Sequence, residues 1–399
     1  MQPSPEPPAT APPTAAELIR LLAAGVASLA VAMGIGRFAY TLTLPAMQLE
    51  LGFGPGFAGW LAGANYAGYF VGALAAGYLP RAHSAVGPAL AALALSTATT
   101  AALAVVAAPW LLFGLRFVSG VVSALIMVLV AEVVFARLAI AGRAHWSGWF
   151  IGGVGLGIVI TSAMTLAEPG AASSTLWLQF GIVAALLSAG CATVLWAQPS
   201  LPVARAAPAP GRADVRARRL LMASYGLEGL GYIVAATFIV AFVSAEQRSG
   251  SAAAWTWLLV GAAAMFSGAF WQMLGRRTGA WQSLTWAYVA QTVSVGLLLL
   301  AGKSLALALV AAALFGLTFP GIALMTMALA PGLQPENPRR LLGLVTGTFS
   351  LGQAIGPVIA GAMAEASGSH APGLAASAVC IMAGGLLCRM AWPRRSGPD

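Results

Sequence analysis

Residues 148–164 read GWFIGGVGLGIVITSAM, and residues 347–363 read GTFSLGQAIGPVIAGAM. At this shift, Gly148, Phe150, Gly153, Gly157, Val159, Ile160, Ala163 and Met164 return as Gly347, Phe349, Gly352, Gly356, Val358, Ile359, Ala362 and Met363. One apolar match of this kind arises easily by chance. Two others keep the same order along the chain. LFGLRF (112–117) returns as LFGLTF (314–319), and Gly34-Ile35-Gly36 returns as Gly229-Leu230-Gly231. An ordered set of repeats points to a duplicated unit, each copy about half the chain.

The chain has 399 residues, of which 59% are hydrophobic and only 8% are Asp, Glu, Lys or Arg; mean hydropathy is +0.86. Soluble domains carry about 25% charged residues, so this chain lacks the polar surface to cover a water-soluble globule. A soluble enzyme, a coiled coil and a disordered chain are excluded on the same ground. Apolar runs long enough to cross roughly 30 Å of hydrocarbon at about 1.5 Å per residue fall at about 21–46, 57–79, 86–107, 110–134, 146–167, 175–197, 220–244, 254–275, 280–301, 305–329, 341–364 and 373–392. The repeats then pair spans one, four and five with spans seven, ten and eleven. The expectation is an all-α polytopic membrane protein with 12 transmembrane helices in two pseudo-symmetric six-helix halves. Strand-type alternation is absent, which excludes a β-barrel.

Residues 1–16 carry Glu6 as their only charge and lack the basic and apolar regions of a cleavable signal peptide. A disordered tail is expected over 1–17, with the first span as an uncleaved insertion signal. The stretch 198–219, QPSLPVARAAPAPGRADVRARR, is Pro-rich and basic, with six spans on either side. It reads as a linker between halves at 18–197 and 220–392, and 393–399 forms a second tail. If both termini lie in the cytosol, 16 of the 20 basic residues fall on that side. Arg248 and Lys303 fall on the other, and Arg37 and Arg116 lie within spans. The positive-inside rule thus predicts that both termini are cytosolic, in a protein expected to be integral to the plasma (bacterial inner) membrane. It also accounts for the net charge of +9 without a nucleic-acid partner, since the arginines form no groove with interleaved aromatics.

An ionised side chain near the bilayer centre costs about 2.5–3.5 kcal/mol on insertion scales, so it is a functional candidate. Arg37 lies about 5 Å to the outer side of the middle of span one, too deep for a lipid-facing guanidinium to reach the interface easily. It either bonds backbone carbonyls between helices or faces a cavity as a substrate or coupling group. Arg116, about 9 Å outward in span four, could snorkel. Glu228, about 6 Å inward of the middle of span seven, could carry a proton or meet a cation, or be a structural hydrogen-bonded acid. Glu132, near the cytosolic end of span four, is an interfacial gate or a solvated residue.

GIGRFAYTLTLPAM in span one, ANYAGYFVGAL in span two and YGLEGLGYIVAATF in span seven resemble the YbfB/YjiJ-type branch of the major facilitator superfamily (MFS). Two six-helix halves related by an axis along the membrane normal are that superfamily's architecture. Arg116-x3-Gly120-x3-Ala124 also resembles its span-four motif, with Ala for the last Gly. GYLPRAHSAVG (77–87) departs from its loop motif by lacking the Asp. Gly352-x3-Gly356-Pro357 resembles its antiporter glycine motif, but in span eleven. The resemblance implies that spans one, four, seven and ten line one cavity, which brings Arg37, Arg116 and Glu228 together. Tyr40, Asn65, Tyr66, Tyr69, Tyr232 and Thr237 are candidate liners, each equally readable as interhelical packing. Two Arg against one Glu favour an anionic or zwitterionic small organic substrate, with Glu228 as the proton-coupling residue. Arg37 and Glu228 sit about 11 Å apart along the normal, so substrate, water or another state is expected between them rather than a standing ion pair. The implied function is proton-coupled secondary active transport by alternating access, in a monomer embedded in the lipid bilayer. The alternative is a non-transporting membrane sensor or scaffold on the same fold.

Other motifs carry no chemistry. GGVGLG (152–157) lies inside an apolar span with no preceding strand, so it is helix packing rather than a dinucleotide loop. Cys191, Cys380 and Cys388 lie in spans, and His83, His145 and His370 in three separate loops, so no metal site is expected. No catalytic constellation is visible, and no cofactor is expected. Gly59-x3-Gly63-x3-Ala67, Gly68-x3-Gly72-x3-Ala76 and Gly343-x3-Gly347 are small-residue faces of the kind that let helices approach closely.

Overall fold

The computed structural model describes residues 13–78, 85–198, 214–247 and 249–392, with the backbone alone at Gly77, Tyr78, Pro338 and Arg339. The described residues form twelve helical rods: α1 (Ala15–Leu51), α2 (Pro55–Tyr78), α3 (Val86–Ala102), α4 (Pro109–Ile140), α5 (Ala144–Ala167), α6 (Ser173–Trp196), α7 (Val215–Gln247), α8 (Gly250–Thr278), α9 (Ala280–Ala301), α10 (Leu305–Leu333), α11 (Pro338–Ser367) and α12 (Ala371–Ala391). They correspond one to one with the twelve expected spans. Ten are long and apolar enough to cross a membrane. The others are α3, a shorter apolar helix, and α2, which runs up to the undescribed stretch 79–84. Pro320 sits inside α10 without ending it.

Two ends differ from expectation because polar caps start helices earlier than the hydropathy does. Thr14 forms a capping box with Glu17, so α1 begins at Ala15 and takes in residues expected in the 1–17 tail. Asp214 accepts from Ala217 N, so α7 begins at Val215, inside the expected 198–219 linker. The central linker 199–213 lies outside the described residues, as do Arg81, His83, Arg248 and both tails beyond 13–392.

The helices pack through small residues, as expected where lipid offers no hydrophobic drive for association. Gly34 of α1 meets Gly157 of α5 so closely that a Cβ at Gly34 would stand 2.4 Å from the Gly157 Cα. The halves meet in the same way. Gly155 of α5 faces Gly261 of α8, and Gly59 of α2 faces Pro357 and Gly361 of α11. The second face in α2, Gly68 and Gly72, instead packs on α4 of its own half. The expected Gly343/Gly347 face is not a tight one. Gly343 has open space and Gly347 only the Phe70 ring, because the close approach of α11 to α7 occurs further along, at Gly352 and Gly356.

Polar contacts between the halves fall at the end remote from the described termini. There Thr41 Oγ1 donates to Ala236 O at 2.8 Å, and Gly56 N donates to Glu365 at 2.8 Å. Residues 28–44 of α1 and 231–243 of α7 are buried at every position, whereas nearer the termini Ala23 and Ala223 are exposed. Gly34→Ala is expected to destabilise the fold by about 1–3 kcal/mol through overpacking. Gly87→Ala, where a Cβ would meet nothing, should be neutral or stabilising. Thermal unfolding of the two purified variants checks the contrast.

Candidate functional site

The site is built on a change of helix type. Residues Ala30–Phe38 of α1 wind as a π-helix, a form that is rare and frequent at functional sites. Its carbonyls are held from outside. Arg116 of α4 donates to Gly36 O at 3.2 Å and to Arg37 O at 3.5 Å, and Ser119 Oγ adds a bond to Gly36 O at 3.0 Å. External donors on these carbonyls compete with the regular helical amides. Arg116 itself lies over the Tyr40 ring, 4.5 Å from its centroid. Tyr40 donates to Ala58 O, and Asn65 Nδ2 donates to Arg116 O at 2.9 Å. Arg116, Tyr40 and Asn65 thus form one scaffold that ties α1, α2 and α4 together. Carbonyl bonding between helices, weighed for Arg37 from the sequence, belongs to Arg116.

Arg37 is placed differently. Its guanidinium carbon sits 4.3 Å from the Tyr69 ring centroid, 4.7 Å from Tyr66 and 5.6 Å from Phe38. Nη1 is turned to Met33 Sδ at 3.5 Å. The remaining edge, Nε and Nη2, is buried and bonds to nothing described. Arg37 is 1% exposed. Those two nitrogens are the side-on fork of a guanidinium, matched to the two oxygens of a carboxylate. Arg116 lies within electrostatic range of Arg37, and among the described residues neither forms an ion pair.

The opposite wall comes from the other half. Tyr232 of α7 lies within electrostatic range of Arg37, Tyr66 and Tyr69. Its ring stacks between Phe349 of α11 and Phe319 of α10, at 5.4 and 5.7 Å, and Phe319 meets Phe38 of α1 at 5.9 Å. The Tyr232 hydroxyl accepts a bond from Gln353 Nε2, while Gln353 Oε1 is buried with no partner. Glu228 is 1% exposed, and the Gln291 amide lies beside it. None of the polar side-chain atoms of these two residues meets hydrogen-bond geometry with anything described. Tyr232 is within electrostatic range of Glu228 as well as of Arg37.

The structure therefore gathers Arg37, Tyr66, Tyr69 and Tyr232 in one cluster, with Glu228 just beyond Tyr232. Thr237 is buried further along α7, its hydroxyl without a partner, and no contact ties it to the cluster. Glu132 is exposed. Met33, Phe319, Phe349 and Gln353 were missed in the sequence reading. Gln353 could have been found, since it is an amide inside an apolar span.

A family model described as "Uncharacterised MFS-type transporter YbfB" matches residues 29–389. The chain belongs to this family. Its YbfB-type fold is similar to the crystal structure of a single-site mutant of the nucleoside transporter NupG. That match has a TM-score of 0.70, covers 94% of this chain and 100% of that one, and has 12% identity. At that identity the likeness is one of fold. No curated protein matches the chain. Membership of this family marks it as an integral membrane transporter of a small molecule.

The two buried arginines should respond oppositely to neutralisation. Arg116→Met removes satisfied charged hydrogen bonds, worth about 1.5–3 kcal/mol each, and should lower the melting temperature of ligand-free protein. Arg37→Met removes cation–π contacts worth about 0.5–2 kcal/mol but also a buried charge that, unlike Arg116, bonds no carbonyl and leaves two nitrogens unpaired, which is costly. Its ligand-free melting temperature should match or exceed that of the parent chain. Differential scanning fluorimetry in detergent compares the two.

Proposed function

We propose that this transporter moves a small organic solute bearing a carboxylate, driven by protons, by alternating exposure of the Arg37 cluster to the two sides of the membrane. The observation that carries this reading is the free side-on edge of Arg37. A desolvated guanidinium with two adjacent unpaired donors lacks an anion. The second guanidinium nearby and the absence of a paired acid strengthen the local positive potential. A carboxylate entering between the halves satisfies both donors at once.

Glu228 is the proposed proton carrier. Among the described residues it is a buried acid without a cation partner, beside the Gln291 amide and in electrostatic range of the Tyr232 phenol. A proton on Glu228 and an anion on Arg37 influence each other through Tyr232, which gives transport a route to coupling. The 16-to-2 distribution of basic residues supports cytosolic termini in a plasma (bacterial inner) membrane. The polar contacts at Thr41–Ala236 and Gly56–Glu365 then lie at the outer end. The chain is taken to act as a monomer, since each half supplies one wall of the site.

Arg37→Gln should lower carboxylate flux in proteoliposomes by at least about thirtyfold, as expected when one partner of a buried charged pair is lost, with insertion unchanged. Parent-like flux in that variant removes Arg37 from the mechanism. Glu228→Gln should retain counterflow exchange but lose accumulation driven by a pH gradient. Undiminished proton-driven uptake there sinks the coupling role. Carboxylate binding without any flux would favour a sensor on this fold.

A further inference from the structure

We infer that the substrate carries, besides its carboxylate, a hydrogen-bond donor, an N–H or O–H group, accepted by Gln353 Oε1. This inference rests on Arg37 being the carboxylate anchor. The wall facing Arg37 is set by the Tyr232–Gln353 pair. The amide gives one N–H to the phenol and leaves Oε1 without a partner, in a residue that is 1% exposed. An unpaired buried carbonyl is costly, and nothing described satisfies it. Its position relative to Arg37 follows from shared neighbours. Tyr232, bonded to Gln353, is in electrostatic range of Arg37, Tyr66 and Tyr69. Ala354, next in α11, lies against Gly63 of α2, one turn from Tyr66.

The site is therefore polarised across the two halves. The α1 wall offers donors only, since a guanidinium has no acceptor. The α11 wall offers an acceptor. Ring faces of Tyr66 and Tyr69 flank Arg37, and those of Phe319 and Phe349 flank Tyr232, surfaces suited to a short apolar connection. A hydroxy acid or an amino acid satisfies both poles. A plain fatty acid leaves Oε1 unpaired, and a keto acid sets an acceptor against an acceptor.

The test uses the full chain in detergent and four sets of straight-chain C4–C6 monocarboxylates: unsubstituted, hydroxy-, amino- and keto-substituted along the chain. Binding is read by isothermal titration. Hydroxy or amino acids should bind about tenfold more tightly than unsubstituted acids, the scale of one buried hydrogen bond. In Gln353→Met that ratio should fall to about one. In Gln353→Glu, which keeps an acceptor and adds charge, amino acids should gain over hydroxy acids. The inference is overturned if the ratio survives in Gln353→Met, or if unsubstituted or keto acids bind the parent chain as tightly as the donor-bearing ones. If none of the four sets binds the parent chain, the Arg37 reading itself has failed, and this inference falls with it. Binding of all carboxylates with no preference among them leaves Arg37 standing and refutes only the second pole. Parent-like melting of Gln353→Glu guards against misfolding as the cause.

Discussion

The hydrogen bonds from Arg116 to the carbonyls of Gly36 and Arg37 are the constraint on which the site depends. They fix the π-helical segment of α1 against α4, and they come from a guanidinium itself clamped over Tyr40. Asn65 holds the Arg116 carbonyl from α2, so three helices share one polar knot inside an apolar bundle. In hydrocarbon such a knot has no water to compete with it. One arginine is thus spent on architecture so that its neighbour, Arg37, can be held between Tyr66 and Tyr69 with half of its donors unused. Neither residue explains the site alone.

The fold was legible because its signals are long and redundant. Twelve apolar runs, one basic linker and three ordered repeats all point to two six-helix halves, and the twelve rods match them one to one. Helix ends were less legible, since Thr14 and Asp214 start α1 and α7 by local capping that hydropathy does not register. In the site, charge at depth identified Arg37, Arg116 and Glu228, but depth could not separate their environments. Arg116 and Arg37 have similar burial but different satisfaction, two bonded nitrogens against one, because that difference depends on where Gly36, Tyr66 and Tyr69 stand in three dimensions. Gln353, Phe319 and Phe349 carry no charge and are hard to tell from packing residues in an apolar helix. The Gly343/Gly347 face failed for a related reason: periodic small residues state that a helix can approach closely, not which neighbour it meets.

The duplication also explains how one cavity acquires two chemistries. At the shift that overlays Gly34-Ile35-Gly36 on Gly229-Leu230-Gly231, Met33 falls on Glu228 and Arg37 on Tyr232. Each half places a residue pair one turn apart at equivalent points of its first helix. In one half the pair is a cation with a soft sulfur acceptor. In the other it is an acid with a phenol. Equivalent backbones thus carry unlike side chains, a cation beside a thioether in one half and an acid beside a phenol in the other.

That asymmetry bears on stability as well as recognition. An unpaired guanidinium, an unpaired carboxyl and an open amide oxygen all sit in the interior, each costing free energy that the surrounding glycine-tight packing must offset. A bundle selected for stability alone would replace them with apolar side chains. Their joint presence around Tyr232 is the arrangement expected of a site that is completed by what it binds. An anion on Arg37 adds negative charge near the phenol that also faces Glu228, and so favours the protonated acid there. A proton on Glu228 in turn removes a negative charge that would oppose the anion. By this reciprocity each ligand is held best when the other is present, and the halves close most stably around both or around neither. On the proposed reading, in which carboxylate and proton move together, that condition arises from three side chains and the dielectric of the bundle.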